Sequence, residues 1–316
     1  MDTRLMQLCS SILQNLESCI LGKQEEIERL LISILAGGHV LLEDVPGTGK
    51  TQLVKALSRT IGGQFRRIQC NPDLLPTDIT GVSIYHPKQE TFIFRPGPVM
   101  ANILLADEIN RATTKTQSAL LEAMEEGKVT VDGETYDLPD PFILLATQNP
   151  IEFEGTYLLP EAQLDRFMMK LSLGYPSELD EFRMIMNGGQ GQPSDFVKTI
   201  ASIEDIRAIR EEVLNVHIDD AVANYLVQIV RGTREHGSVL IGASPRAAIA
   251  LSKAAKASAY LHYRSFVTPD DVKKLAPYVL SHRLLLHTEA RMNSVKASDI
   301  VSSVLERTKV PVRLER

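Results

Sequence analysis

Apolar positions along the chain come in two rhythms. Residues 3–36 carry them at helical spacing and read as two helices, the second opening near Lys23 with Ile27, Leu30, Leu31 and Ile34 on one side. Short apolar runs follow at 39–43, 65–69, 102–107, 142–148 and 167–173, each the length of a strand. The runs NILLAD and FILLATQ are continuously apolar, as in strands buried on both faces of a parallel sheet. Helical patterns at 50–61 and 114–126 lie between runs. This alternation predicts an α/β fold.

Two segments break the alternation. Residues 83–94 (SIYHPKQETFIF) place strand-like residues around a Pro-Lys-Gln turn. Residues 128–138 carry Asp132-Gly133 between two short strands, a hairpin signal. Both are more polar than the central strands and should stand off the sheet. The Gly-rich run NGGQGQPSD at 187–195 reads as a linker. Beyond it no strand is predicted. Helical patterns at 202–214, 219–235, 245–262, 269–280 and 297–306 make a small helical bundle. The predicted domains are thus 1–190, an α/β unit, and 191–316, an all-α unit. A length of 316 residues agrees with two domains.

Composition narrows the class. With 44% hydrophobic and 23% charged residues the chain can bury a core, which excludes a disordered protein. The net charge of −6 excludes a basic footprint over the whole chain, though not a local one. The longest uncharged apolar stretch, 30–42, is too short for a bilayer and contains Gly37, Gly38 and His39. No basic n-region precedes it, so the first residues read as an amphipathic helix and not as a signal peptide. Cys9, Cys19 and Cys70 are an odd, scattered set without metal spacing, which fits a reducing, cytoplasmic setting. His39 reads as a packed strand residue, and Arg66-Arg67 as a solvated pair.

The sharpest chemical signal is Asp44-Val45-Pro46-Gly47-Thr48-Gly49-Lys50-Thr51, followed by Gln52. It leaves an apolar strand and opens a helix, as a phosphate-binding loop does. Glycines there let backbone N–H groups face phosphate oxygens, and the helix dipole adds to them. Lys50 is then placed for β/γ-phosphates and Thr51 for Mg²⁺. The pattern has Asp44 where the usual motif has its first Gly. The run Ile103–Ala106 ends in Asp107 and Glu108, one acid suited to Mg²⁺ and its water shell, the other to polarising an attacking water. Asn149 ends the next strand, where it could orient water or serve the turn before Pro150. On its residue type alone, Arg166 just before a strand reads as a solvated surface residue, and Arg246 as a partner of a phosphate or of a surface carboxylate.

With these motifs the chain resembles the AAA+ ATPases, and among them the MoxR family. The carriers are LLEDVPGTGKT (41–51), CNPDLLPTDITG (70–81), LLADEINRATTKTQSALLEAMEE (104–126), LLATQNPIEFEGTYLLPEAQLDRF (144–167) and IGASPRA (241–247). The resemblance implies a P-loop NTPase with a five-stranded parallel sheet in the order 5-1-4-3-2, two β-hairpin inserts and an all-α lid. It implies Mg²⁺-dependent ATP hydrolysis in a hexameric ring of like subunits. It makes Asn149 the sensor 1 residue, Arg166 an arginine finger acting on a neighbour's ATP, and Arg246 the sensor 2 residue. Ile20, Leu21 and Gly22 match the segment near adenine. The implied role is chaperone-like remodelling or maturation of a separate partner protein, often one with a von Willebrand factor A domain, sometimes in metal-cofactor insertion.

Two alternatives differ in class. Helicases of the same clade share both hairpins, but here those hairpins hold Lys88 and Lys128 against Glu90, Asp132, Glu134 and Asp137, a poor balance for tracking phosphates. No nucleic acid partner is therefore expected. A nucleotide-gated binding module with little turnover is the other, and Glu108, Asn149 and Arg166 together argue against it.

Overall fold

The structure is a computed structural model and describes residues 2–45, 47–150, 156–187, 194 and 197–311. Pro46, most of the linker 187–195, and residues 151–155 of the stretch 144–167 lie outside the described residues. The chain opens with α1 (Thr3–Cys19) and α2 (Gln24–Leu35) and enters the sheet at β1 (Val40–Glu43), followed by α3 (Lys50–Thr60) and β2 (Phe65–Gln69). A short α4 (Pro76–Thr80) leads into the hairpin β3 (Gly81–His86) and β4 (Thr91–Pro96). Then come β5 (Ile103–Asp107), α5 (Thr114–Glu126), the hairpin β6 (Lys128–Val131) and β7 (Glu134–Asp137), β8 (Ile143–Gln148), α6 (Glu161–Leu164), β9 (Met169–Leu171) and α7 (Glu178–Asn187).

Five strands form one parallel sheet in the order β2-β5-β8-β1-β9. Numbered among themselves, they run 5-1-4-3-2, as the family resemblance implies. Alternate residues feed two cores. Val40, Leu42, Ile103, Leu105, Ile143 and Leu145 join α1, α2 and α3 on one face. Leu41, Leu104, Ala106, Leu144 and Ala146 join Leu120, Leu121 and Met124 of α5 on the other. Burial on both sides is why these strands read as unbroken apolar runs. The edge strand β2 keeps Arg66 and Arg67 exposed and buries Ile68.

Both hairpins stand off the sheet as predicted. Asp132 (φ 51°) and Gly133 (φ 86°) take the two positive-φ positions of a tight hairpin turn. The β3–β4 hairpin is less polar on its surface than its composition suggests, because Ile84, Tyr85, Phe92 and Ile93 are exposed. It also runs to Pro96 and so includes Arg95, a basic residue outside the predicted bounds. Phe94 stacks on Tyr136 of β7 with ring centroids 4.0 Å apart, which ties the two hairpins together.

The lid contains α8 (Ile203–Leu214), α9 (Asp220–Glu235), β10 (Val239–Ile241), α10 (Pro245–Leu261), α11 (Pro269–Leu280), β11 (Leu285–Leu286), α12 (Thr288–Met292) and α13 (Ala297–Arg307). All five predicted helices form. The ribbon β10–β11 is an addition: its strands are too short to show a period, and their pairing joins residues far apart in the chain. We propose 1–190 and 191–316 as the domain division, with one apolar core crossing it, since α1 and α2 pack with α8 and α10.

His39 is partly buried just before β1. Its Nδ1 accepts from Leu144 N (3.0 Å) and its Nε2 faces Met124 O (3.2 Å), the pattern of a neutral ring. Burial, with Arg210 nearby, brings its pKa down to about 4. Burial likewise pushes the Cys9 and Cys70 thiols up to about 12 and Cys19 to about 11, so none is a thiolate near neutrality.

Thr268 caps α11 together with Asp271, whose buried carboxylate accepts from Thr268 N (2.9 Å), Ser258 Oγ (2.9 Å) and both Nη atoms of Arg264 (2.6 Å each). Burial pushes this carboxyl up, but the hydrogen bonds from Arg264, Thr268 and Ser258 outweigh it and hold it below the usual range. Asp271→Ala is therefore expected to destabilise the lid by about 3–5 kcal/mol, since it strands Arg264. The unfolded chain binds this proton more readily than the folded one. The contribution is thus full above the ordinary Asp value of about 4 and drains away as pH falls through the lower folded value. Denaturant melts of both proteins at neutral and acidic pH check this, with the gap between them narrowing in acid.

Candidate functional site at the carboxyl ends of the strands

Strand register decides which residues meet. Glu43 pairs with Gln148, Ala106 with Ala146, and Gln69 with Asp107, so β1, β8, β5 and β2 end side by side. The loop after β1 turns through Gly47 (φ 87°) and Gly49 (φ 88°), backbone that side chains other than glycine rarely adopt. Gly49 caps α3, so Lys50 is the first residue of that helix.

These ends enclose a cavity of about 340 Å³ lined by Asp44, Gly47–Gln52, Asp107, Glu108 and Thr147–Asn149. The structure thereby brings together Gly47, Thr48, Gly49, Lys50, Thr51, Gln52, Asp107, Glu108 and Asn149. Lys50 Nζ donates to the carbonyls of Asp44 (3.0 Å) and Val45 (2.9 Å). Burial lowers its pKa, against the opposing pull of Asp44, Asp107 and Glu108. A cation and a hydroxyl on a helix N-terminus, facing two carboxylates, are a donor set that suits a magnesium-bound polyphosphate.

Asp44 is not a weakened glycine position. Its buried carboxylate accepts from Ser172 Oγ (2.7 Å), Leu173 N (2.7 Å) and Gly174 N (2.9 Å). This ties the start of the loop to the segment after β9. Leu21 and Gly22 do not line the cavity, nor does Ile20. Ile20 is buried at the end of α1, and Gly22 (φ 69°) sits hard against the Asp180 carboxylate of α7.

Around the acids, sequence reasoning missed three partners. Thr147 Oγ donates to Asp107 Oδ1 (2.5 Å) and accepts from Glu108 N (2.8 Å), holding both acids from the neighbouring strand. Gln69 Nε2 donates to Glu108 Oε2 (2.9 Å), which also pairs with Arg111 Nε (3.3 Å). Arg67, read as solvated, is exposed and also pairs with Asp107 Oδ2 at 2.7 Å. It lies beside Asp107 because β2 and β5 are adjacent, which spacing along the chain does not reveal. Glu108 itself has φ 57°, an uncommon backbone for a non-glycine residue.

Arg166 and Arg246 lie elsewhere. Both pair with one carboxylate near the end of α5: Arg166 Nε is 3.0 Å from Glu125 Oε2, and Arg246 Nη1 is 2.9 Å from Oε1. Neither lines the loop cavity. They line a second one of about 260 Å³, with Asp165 and Lys253, between the lid and the sheet.

Comparison with known proteins identifies the class. Residues 39–169 match the ATPase family associated with various cellular activities (AAA), and residues 231–304 the AAA lid domain. Chaperone MoxR1 of Mycobacterium tuberculosis is 44% identical, over 92% of this chain and 79% of its own. The chain belongs to the MoxR family of AAA+ ATPases. Within reach of this MoxR-family chain is also the uncharacterized protein YeaC of Bacillus subtilis, 52% identical over 98% of this chain and 97% of its own. A crystal structure of a candidate ATPase from Cytophaga hutchinsonii superimposes with a TM-score of 0.90 at 40% identity, covering 98% and 96% of the two chains. Among the described residues no helix is long and apolar enough to cross a membrane.

The Asp44 contacts yield a test. Asp44→Ala leaves buried backbone donors unpaired and frees the loop from residues 172–174. A loss of about 3 kcal/mol in stability is expected, with weaker nucleotide binding. Thermal melts with and without ATP analogue check both effects.

Proposed function

We propose that this chain hydrolyses ATP with Mg²⁺ in a hexameric ring of its own copies, and uses the cycle to remodel or mature partner proteins. The carrying observation is that Arg166 and Arg246 share Glu125 and stand apart from their own loop cavity. Arg67 and Arg111 are engaged with Asp107 and Glu108, and among the described residues that line the cavity there is no arginine, so we read the site as completed from outside. The ring supplies that arginine from the next subunit.

For most residues, position around the cavity supports the following roles; for Ile20, Leu21, Gly22, Arg166 and Arg246 the family resemblance does. Lys50 and the backbone of the nucleotide-binding turn, Val45, Pro46, Gly47, Thr48 and Gly49 through Gln52, hold the phosphates, and Ile20, Leu21 and Gly22 lie toward the base. Thr51 and Asp107 hold the metal, which when bound neutralises charge on the β- and γ-phosphates. Glu108 orients and polarises the attacking water, and Asn149 helps place it. Arg166 meets the charge that develops in the transition state of the neighbour's ATP, worth about 10³–10⁵ in rate for an arginine supplied in trans. Arg246, on the same carboxylate as Arg166, reaches the same neighbouring site. The name Chaperone MoxR1 supports the remodelling role. The partner is a separate protein of the kind that carries a von Willebrand factor A domain, and the setting is the cytoplasm.

Glu108→Gln keeps size and hydrogen bonding and loses the charge. It is expected to bind ATP normally and turn over at least about 10²-fold more slowly, trapping partner proteins that co-purify. Equal loss of binding and turnover makes Glu108 a structural residue. Arg166→Ala and Lys50→Ala are each expected to be inactive and, co-assembled, to regain part of the activity at junctions that join an intact Lys50 to an intact Arg166. Phosphate release across mixing ratios reads this, with a tagged pull-down showing that mixed rings form. Mixed rings without activity at any ratio overturn the assignment of Arg166.

A further inference from the structure

The turn that bears Arg166 is held by the lid. Arg283 ends the short Ser281–Arg283 turn that follows α11, and its side chain is 2% exposed. Its Nε donates to Asp165 Oδ1 (2.7 Å), its Nη2 to the carbonyls of Asp165 (3.0 Å) and Phe167 (2.7 Å), and its Nη1 to those of Met168 (3.2 Å) and Val279. The five N–H groups of a guanidinium are thus matched by five acceptors. Four of these acceptors belong to residues 165–168, and all flank Arg166. Two more lid residues grip the same turn. His282 Nε2 faces Phe167 O (3.1 Å), its ring kept neutral by burial. Ser244 Oγ donates to Asp165 Oδ2 (3.1 Å) while capping α10, the helix that carries Arg246.

The Arg166 side chain is the part of this turn that points away. It is 29% exposed and reaches Glu125. We propose that Arg283 is a positioning residue for Arg166: through it the lid of each subunit sets where that subunit's arginine projects toward the next ATP. This rests on the reading of Arg166 as acting in trans. A lysine cannot replace the fork, because one ammonium keeps the ion pair with Asp165 but cannot span carbonyls on four residues. Placement is also where a small change has a large effect, since a displacement of about 1 Å can lower a rate about 10²-fold.

Arg283→Met is expected to bind ATP analogue within about twofold of the parent, and to show kcat about 10²-fold lower with KM little changed. Its own loop cavity is untouched, so it should fail as a donor of Arg166 and succeed as an acceptor. Mixed with Lys50→Ala it should regain activity to the level of the Arg166→Ala and Lys50→Ala mixture. Mixed with Arg166→Ala it should regain none, because neither subunit donates. Arg283→Lys, which keeps the charge, is expected to behave in the same way and serves if the Met variant does not fold. Parental turnover by both variants overturns the proposal. So does equal recovery in both mixtures, and so does failure of both while Arg166→Ala and Lys50→Ala recover, since that marks a general defect. If that reference mixture stays inactive in proven mixed rings, the trans reading of Arg166 fails first and this inference falls with it.

Discussion

Parallel pairing of β1, β5 and β8, with β2 alongside, is the constraint on which the rest of the molecule depends. It leaves the strand ends level at one edge: Asp44, Asp107, Glu108, Thr147, Gln148 and Asn149 around the loop cavity come from those ends or from the residues just beyond them, and Thr48, Thr51 and Gln52 from the loop and helix that follow β1. Asp107 and Glu108 can be cross-held by Thr147 only because β5 and β8 end together. Gln69 reaches Glu108 because β2 ends alongside β5. The sheet can hold that register because both of its faces are buried, where a one-residue slip would move each side chain to the wrong core.

The second dependence is between the sheet and the lid. One apolar core runs from α1 and α2 into α8 and α10, so the lid is anchored on one side by packing. On the other side the contact is polar: Arg283, His282 and Ser244 take up the 165–168 turn. Glu125 adds a third layer by holding Arg166 and Arg246 together. A carboxylate shared by two guanidiniums keeps both side chains near one geometry while no phosphate is there to receive them.

What could be read from the sequence was the part written locally. Continuous apolar runs marked the central strands, Gly-Lys-Thr marked the loop, Asp132-Gly133 marked a hairpin, and two acids at a strand end marked the chemistry. Each is a pattern within about ten residues. The strand order came with the family resemblance. Residues that depend on lateral neighbours escaped. Arg67 looked solvated because nothing in the chain around it contains the acid it meets, some 40 residues away. Arg283 is a lone charge on a short helical turn and Glu125 one of several acids at the end of α5, and their partners lie more than a hundred residues away or in other elements. Asp44 looked like a departure from the usual motif because its donors come from residues 172–174. Ile20, Leu21 and Gly22 illustrate the converse: their place near adenine came from the resemblance, while here Gly22 lies against Asp180 of α7 and Ile20 packs in the apolar core.

The stack of Phe94 on Tyr136 has a mechanical meaning. Each hairpin alone is a two-stranded ribbon, a shape that twists and bends easily. Joined by an aromatic pair at 4.0 Å, the two become a truss with its base set in the chain on either side of β5. One leg, β6–β7, leaves α5 directly at Gly127, so a tilt of that helix is carried outward as leverage. The other leg ends in Tyr85 and Phe92, which face solvent. The aromatic tip and the acid-bearing strand are thereby two ends of one stiff arm.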